Sequence, residues 1–269
     1  MDIIKASGES QRFSTEKLYS SIKRAGAESR LAKDISKAVA KNIEGGADTG
    51  EILSQTLHSL QKENPILAAR YNLKKAIMEL GPAGFTFEKY VAEILKEYGY
   101  AVKTNKQVKG RCASHEIDVI AQKEGKRIMI ECKYHNERGI RSDTKVALYT
   151  FARFLDVKNT FHQPWLVTNT KCTNQAIRYA RCAGLKIISW RYPRNESLEY
   201  LIEKKKLYPI TILPLLTKYI KEKLVEGQIL FIKDLLKYSL SDLVQITGLQ
   251  LNIAEKLQTQ ARELCFCGT

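Results

Sequence analysis

Asp118 and, after twelve intervening residues, Glu131-Cys132-Lys133 are the residues of this 269-residue chain whose types and spacing most suggest chemistry. Two carboxylates brought close together repel unless something positive lies between them. A divalent cation bound through oxygen ligands is an economical answer. Lys133 follows Glu131 by one pleat, and His115 and His135 flank the group. Either histidine could pass a proton, although a histidine beside a strand end is more often plain surface.

The element that must position these groups is a β-hairpin. Within SHEIDVIAQKEGKRIMIECKYH, from Ser114 to His135, Ile117, Val119 and Ala121 alternate with Glu116, Asp118 and Ile120. Ile128, Ile130 and Cys132 alternate with Met129, Glu131 and Lys133, again the period of a strand. Glu124-Gly125 supply a two-residue turn, with glycine free to take positive φ. Facing residue numbers then sum to 249, which predicts Asp118 opposite Glu131 and Glu116 opposite Lys133. Facing side chains sit ~5 Å apart at Cβ. A surface ladder of mixed charge would show the same alternation. The apolar runs IDVIA and IMIEC read instead as central strands, where charges need a reason.

Asp118, twelve residues, then Glu131-Cys132-Lys133 resembles the D-x(n)-(D/E)-x-K motif of the restriction-endonuclease-like, or PD-(D/E)xK, nucleases. The region around it resembles the catalytic domain of Mrr-type restriction endonucleases. The resemblance implies Mg²⁺- or Mn²⁺-dependent hydrolysis of phosphodiester bonds in DNA. Asp118, Glu131 and the backbone carbonyl of Cys132 would be the metal ligands. Lys133 would orient or deprotonate the attacking water and stabilise charge in the transition state. Glu88 occupies the place of a further acidic residue of that family, and could equally be a solvated helix residue.

Charge is distributed in keeping with such a substrate. The net charge is +15; residues 81–207 carry 24 basic and 13 acidic side chains, +11, against +3 for residues 1–80 and +1 for residues 208–269. An excess on the segment bearing the hairpin suits a phosphate backbone. An acidic membrane surface would also attract it, but no basic amphipathic helix stands out. No apolar run approaches the ~18–20 residues of a membrane span, and the start MDIIKASGES lacks the apolar core of a signal peptide. The expectation is a cytoplasmic protein without a membrane partner. The cysteines at 112, 132, 172, 182, 265 and 267 form no C-x-x-C pair, so reduced thiols are expected. Cys265 and Cys267 could touch a metal, though no second pair matches them.

Residues 1–81 read as a small hairpin followed by four helices. Ile3 and Ile4 lead into a turn at Ser7–Ser10, and Arg12-Phe13 return. Ser14 caps a first helix that stops at Gly26, a second spans Arg30 to Ile43, and Asp48 or Thr49 opens a third. Asn64-Pro65 opens a fourth, ending at Gly81-Pro82. This unit is similar to the ATP-cone, the nucleotide-sensing module of ribonucleotide reductases and their repressors. The matching residues are Ile4-Lys5, Gly8, Phe13, Lys17-Leu18 and Ser21-Ile22, with the tail Asn64-Pro65 and Ala69-Arg70-Tyr71. The resemblance implies ATP or dATP as a regulatory ligand at Ile4, Lys5, Gly8, Phe13 and Lys17. Lys5 and Lys17 would meet phosphates, and Gly8 would let backbone N–H groups approach. Ala6 stands where the family usually has a second basic residue. A helical domain with incidental lysines is the alternative.

After a linker at Gly81–Gly84, residues 82–206 read as helix, three strands, helix, strand, helix, strand. This αβββαβαβ order with a mixed sheet is the core expected of the nuclease fold. The first strand opens at Tyr100–Val102. Val146, Tyr149, Ala152, Phe154 and Leu155 are the expected buried side of the helix Ser142–Asp156. Thr168, Asn169, Lys171 and Thr173 could hold phosphates or be turn and cap residues. In residues 207–269, Leu213–Leu224 and Ile229–Tyr238 are amphipathic. Ile246-Thr247-Gly248-Leu249 with Ala254, Leu257 and Ala261 looks like a helix-hairpin-helix, with Gln250 in place of its second glycine. Contact with DNA and a packing or dimerisation role both fit.

The whole reads as an α/β nuclease acting on double-stranded DNA, preceded by a mainly helical nucleotide-binding domain and followed by a helical region. Cutting both strands with this fold implies a homodimer. No GxxxxGK[ST] loop is present for nucleotide hydrolysis. A non-catalytic, nucleotide-responsive DNA-binding protein and an RNA-processing nuclease are the alternatives.

Overall fold

Side-chain caps set the helix starts of the N-terminal segment. The computed structural model describes residues 1–6, 8–81, 87–137, 139–213 and 216–266. Ser7, the expected linker beyond Gly81, and Cys267 lie outside them. β1 (Asp2–Ile4) and β2 (Ser10–Arg12) pair antiparallel. The Ser14 hydroxyl accepts from Lys17 N and opens α1 (Thr15–Arg24), which is followed by α2 (Ser29–Asn42). Asp48 accepts from the N–H groups of Gly50 and Glu51 at the start of α3 (Thr49–Glu63). Asn64 does the same for α4 (Pro65–Tyr71), with proline in its first turn, where its missing N–H costs nothing. The spacing predicts that this helix continues to Gly81. Instead it breaks at Asn72, whose N–H is shared between the Ala68 and Ala69 carbonyls, and restarts as α5 (Leu73–Met78). Neither glycine nor proline marks that break.

The chain divides into two compact units, Met1–Glu79 with Pro209–Thr269, and Leu80–Tyr208. The second opens with α6 (Phe87–Glu97), β3 (Ala101–Lys109), β4 (Ser114–Lys123) and β5 (Lys126–Lys133). It continues with β6 (Arg141–Ser142), α7 (Thr144–Val157), β7 (Gln163–Thr168) and β8 (Lys171–Cys172). It closes with α8 (Asn174–Ala183), β9 (Lys186–Ile188) and α9 (Leu198–Lys204). The main sheet has the order β3-β4-β5-β7-β9, antiparallel as far as β5 and parallel beyond it. A mixed sheet was expected. β3 is much longer than its short apolar start predicts. It is an edge strand, so its lysines reach solvent, and such charges discourage pairing with other chains.

The hairpin forms as its pattern predicts near the turn and departs from it further out. Glu124 and Gly125 both take positive φ, +50° and +74°, as the tight two-residue turns of hairpins require. The pairs from Lys123↔Lys126 to Val119↔Ile130 keep the predicted register. There the β4–β5 ladder ends. Outward of it, β4 pairs with β3 as Gln107↔Glu116, and β5 pairs with β7 as Lys133↔Thr168. The expected facing of Glu116 and Lys133 is therefore absent. Glu116 lies instead beside Asn105 and Gln107, at 3.5 and 3.4 Å.

The buried side of α7 also differs from the expectation. Ala147, Thr150 and Val157 face inward, whereas Tyr149, Ala152 and Leu155 are exposed. Ala147 belongs to a core cluster with Leu166, Ala176 and Ile187, and Val157 to one with Ile117 and Met129. Small side chains let the helix approach the sheet closely, and larger ones are turned aside. Asp156, on the last turn of α7, accepts from Cys112 N, Ala113 N and the His115 imidazole. The β3–β4 turn is thereby pinned to the helix.

From Pro209 the chain rejoins the first unit through 3₁₀ turns at Ile210–Ile212 and Ile232–Lys237 and the helices α10 (Lys218–Glu226), α11 (Leu240–Thr247) and α12 (Leu251–Phe266). The amphipathic run Ile229–Tyr238 thus becomes a 3₁₀ turn, and the helix expected from Leu213 starts only after the Thr217 cap. Thr211 Oγ1 donates to the Ala76 carbonyl, and Arg70 to that of Leu264. Gly248, left-handed at φ +68°, separates α11 from α12, whose Ala254, Leu257 and Ala261 are fully buried. Among the described residues no helix is long and apolar enough to cross a membrane.

The pinned turn leaves no room at Gly110, where an added Cβ would fall 2.2 Å from Asp156 Oδ2 and 2.7 Å from the Ala113 carbonyl oxygen. Gly110→Ala is therefore expected to cost about 1–3 kcal/mol by overpacking. Urea denaturation against wild type measures it, and an unchanged midpoint would show that the turn is loose.

Candidate active site

Where the hairpin strands part, a buried backbone N–H would lose its partner, which is costly. Asp118 supplies one: its Oδ2 accepts from Cys132 N at 2.7 Å. The structure thus brings Asp118, Glu131 and Cys132 together at the fork. Asn105, at the skipped position of β3 beside Asp118, takes φ +50°. Glu131 forms an ion pair through Oε2 with Nη1 of Arg153 on α7. Nη2 of Arg153 donates to the Glu116 carbonyl oxygen, and its guanidinium lies 5.2 Å from the Tyr149 ring centre. Arg153 is not among the site residues that the sequence pattern suggests. Its signal is faint, one arginine between Phe151 and Phe154 in a helix rich in apolar residues.

Both acids resist ionisation. Burial raises the Glu131 carboxyl to about 7, with the neighbouring Asp118 charge adding to the rise and Arg153 and Lys133 opposing it. Burial likewise raises Asp118, against the Cys132 N–H bond, and the Glu88 charge adds to the rise. Glu88, half-buried in the first turn of α6, is therefore within electrostatic reach of both acids. Lys133 is exposed at the end of β5, close enough for its charge to act on Glu131 and on His135.

The donor set suits a hard divalent cation. Two half-buried carboxylates repel one another, and Mg²⁺ is commonly held by one or two carboxylates while keeping several waters. Among the described residues no group of three His, Cys, Asp or Glu side chains forms a metal cluster. Ligands from this chain would be Asp118, Glu131 and the Cys132 carbonyl, with Glu88 acting through its field.

The flanking histidines have other partners. His115 is bound to Asp156 at 2.8 Å, which helps hold that carboxyl well below the usual carboxylate range. His135 meets Ser142 Oγ at 3.1 Å, and burial lowers its pKa. Asn169 accepts from His135 N and donates to its carbonyl. Thr168 and Asn169 are fully buried, and Thr173 caps α8. These side chains tie the loop after β5 to the end of β7, the structural alternative considered for them.

In the other unit, Ile4 and Lys5 lie at the end of β1, with Gly8 (φ +79°) in the turn. Phe13 packs on the core at the hairpin exit, and Lys17 is exposed in the first turn of α1. Lys5 is paired with Glu9 at 3.0 Å. Ser21 and Tyr71 share a hydrogen bond of 3.1 Å.

The chain is similar to known proteins. Residues 82–191 match the family described as restriction endonuclease, Mrr catalytic, and residues 208–265 match the one described as AF1548-like, C-terminal. An uncharacterized protein of Archaeoglobus fulgidus is 43% identical over 175 residues, covering 65% of this chain and 99% of that protein. The crystal structure of AF1548, a protein of unknown function, superposes with a TM-score of 0.59 at 42% identity, over 66% of this chain and 95% of its own. Can2 from Sulfobacillus thermosulfidooxidans, solved with cyclic tetra-adenylate, gives a TM-score of 0.35 at 13% identity over 73% of this chain and 64% of its own.

With Glu131 ionising near 7 instead of 4.5, the folded state keeps a proton that the unfolded chain releases between those values. Stability in metal-free buffer then falls as pH rises through that window, by on the order of 3 kcal/mol. Denaturation in EDTA at pH 5 and pH 8 measures the loss, which Glu131→Gln is expected to flatten. An equal slope in both proteins would assign the titration elsewhere.

Proposed function

Because the chain belongs to the AF1548-like family, with a restriction endonuclease domain at residues 82–191 and the AF1548-like C-terminal domain at 208–265, we propose that it is a Mg²⁺- or Mn²⁺-dependent endonuclease of the PD-(D/E)xK type that hydrolyses phosphodiester bonds in double-stranded DNA. The observation that carries this reading is the convergence of Asp118 and Glu131 on the fork of β4 and β5, both half-buried and both resisting ionisation. A divalent cation held there would act as a Lewis acid toward the phosphate. Asp118 keeps its orientation through the Cys132 N–H, so its second oxygen is presented in a fixed place. Lys133 holds or accepts a proton of the attacking water and offsets charge that develops on the phosphate. The +11 charge of residues 81–207 draws the polyanion.

The same proposal assigns the N-terminal segment as an ATP-cone whose nucleotide, ATP or dATP, regulates cleavage. Its support is the placing of Ile4, Lys5, Gly8, Phe13 and Lys17 along one hairpin and the helix that follows it. Lys5 must leave Glu9 to meet a phosphate. Equilibrium dialysis with ATP and dATP tests the assignment: Lys17→Ala is expected to weaken binding about tenfold, the worth of one charge-assisted contact. Binding unchanged in Lys17→Ala would remove this site.

Cleavage is tested on supercoiled plasmid with Mg²⁺ or Mn²⁺, with RNA substrates alongside. Asp118→Asn and Lys133→Ala are each expected to slow nicking by at least ~10²-fold. Equal binding by all three proteins with no cutting would favour a nucleotide-responsive DNA-binding protein, and cutting of RNA alone would favour the processing reading.

A further inference from the structure

Arg153 is the charged residue of the fork for which the cleavage reading assigns no role. Its side chain is only 10% exposed and that of Glu131 16%. Three contacts hold it: Glu131 Oε2, the Glu116 carbonyl and the Tyr149 ring. Its Nε is buried without a partner among the described residues. On an open surface water would satisfy that N–H; here the cost is borne and the three contacts keep the guanidinium in place. It sits on one oxygen of a carboxylate that the cation reading also needs.

We infer that Arg153 is a resident cation of the acidic site, a positioning residue that holds Glu131 before a divalent ion arrives and limits how tightly that ion binds. The inference rests on the metal-dependent reading above. A guanidinium stays charged at every accessible pH, so it cannot leave by losing a proton. With Asp118 and Glu131 ionised, it reduces the charge presented to an incoming cation from −2 to −1. Repulsion between the two cations weakens metal binding. The fixed position of Glu131 Oε2 works the other way by lowering the ordering cost. At separations of a few ångströms in a partly buried site, charge repulsion outweighs that saving. The arrangement thus exchanges metal affinity for a stable metal-free fold, in which no buried glutamate is left alone.

The test titrates the full chain with Mn²⁺ alone, by calorimetry, in wild type, Arg153→Met and Arg153→Lys. Each protein is also melted in EDTA and in excess Mn²⁺. Arg153→Met is expected to bind Mn²⁺ about tenfold or more tightly than wild type. It should melt lower in EDTA and regain most of the difference with Mn²⁺. Arg153→Lys keeps the charge and is expected to bind near the wild-type level, which guards against a Met variant that fails to fold. Asp118→Asn in each background shows whether binding is at the fork. Equal or weaker binding by Arg153→Met, or melting points lowered equally with and without Mn²⁺, overturns the inference and leaves the nuclease reading standing. Binding near wild type by both variants overturns it as well. Absence of any Asp118-dependent binding in wild type and Arg153→Met overturns both.

Discussion

The hydrogen bond from Cys132 N to Asp118 Oδ2 is the contact on which the fork depends. β5 is a central strand with two edges to satisfy. Along Ile128–Lys133 one edge is taken by β7, while the other loses β4 beyond Ile130. A central strand abandoned in this way would leave polar backbone buried and unpaired, at a cost comparable to a lost hydrogen bond. A carboxylate at position 118 answers that need without drawing the strands back together. The same side chain therefore opens the fork and supplies an acid to it.

This arrangement is under electrostatic tension. Two carboxylates lie in a partly buried region, with a third, Glu88, within reach. Burial disfavours their charge, and each disfavours the charge of the other. Arg153 and Lys133 offset this incompletely, because both acids still titrate above their ordinary range. A site that is costly for its own fold is the kind that gains most from a bound cation, and this is why two carboxylates here carry more meaning than two on an open surface.

Much of the frame was legible in the sequence because its signals are local. Ser14 and Asn64 cap the helices they were expected to open, and Asp48 and Thr173 do so as the first of two adjacent candidates each, through bonds reaching only two or three residues along the chain. Glu124-Gly125 set the hairpin register for the same reason. What escaped depends on partners distant in sequence. The loss of the Glu116–Lys133 facing follows from β4 and β5 parting beyond Val119↔Ile130, where the Asp118 side chain takes the Cys132 N–H. Periodicity gave α7 its most apolar stripe, whereas packing against the sheet selected the smaller Ala147 and Thr150. Arg153 was hidden by that same choice, since its meaning lies wholly in what it meets across the sheet.

α7 thereby becomes the element that organises the site from outside. Tyr149, Arg153 and Asp156 are spaced by four and three residues, which places them along one ridge of the helix. Arg153 reaches the acids of the fork, and Tyr149 supports its guanidinium from the turn before. Asp156 grips the β3–β4 turn through two backbone N–H groups and His115. The exposed tyrosine is thus a platform and not a misplaced core residue. Because Ala147 and Thr150 keep the helix close to the sheet, a shift of α7 would loosen the turn and withdraw the arginine together. The position of one helix then governs both how far β3 and β4 stay joined and how much positive charge the fork already holds.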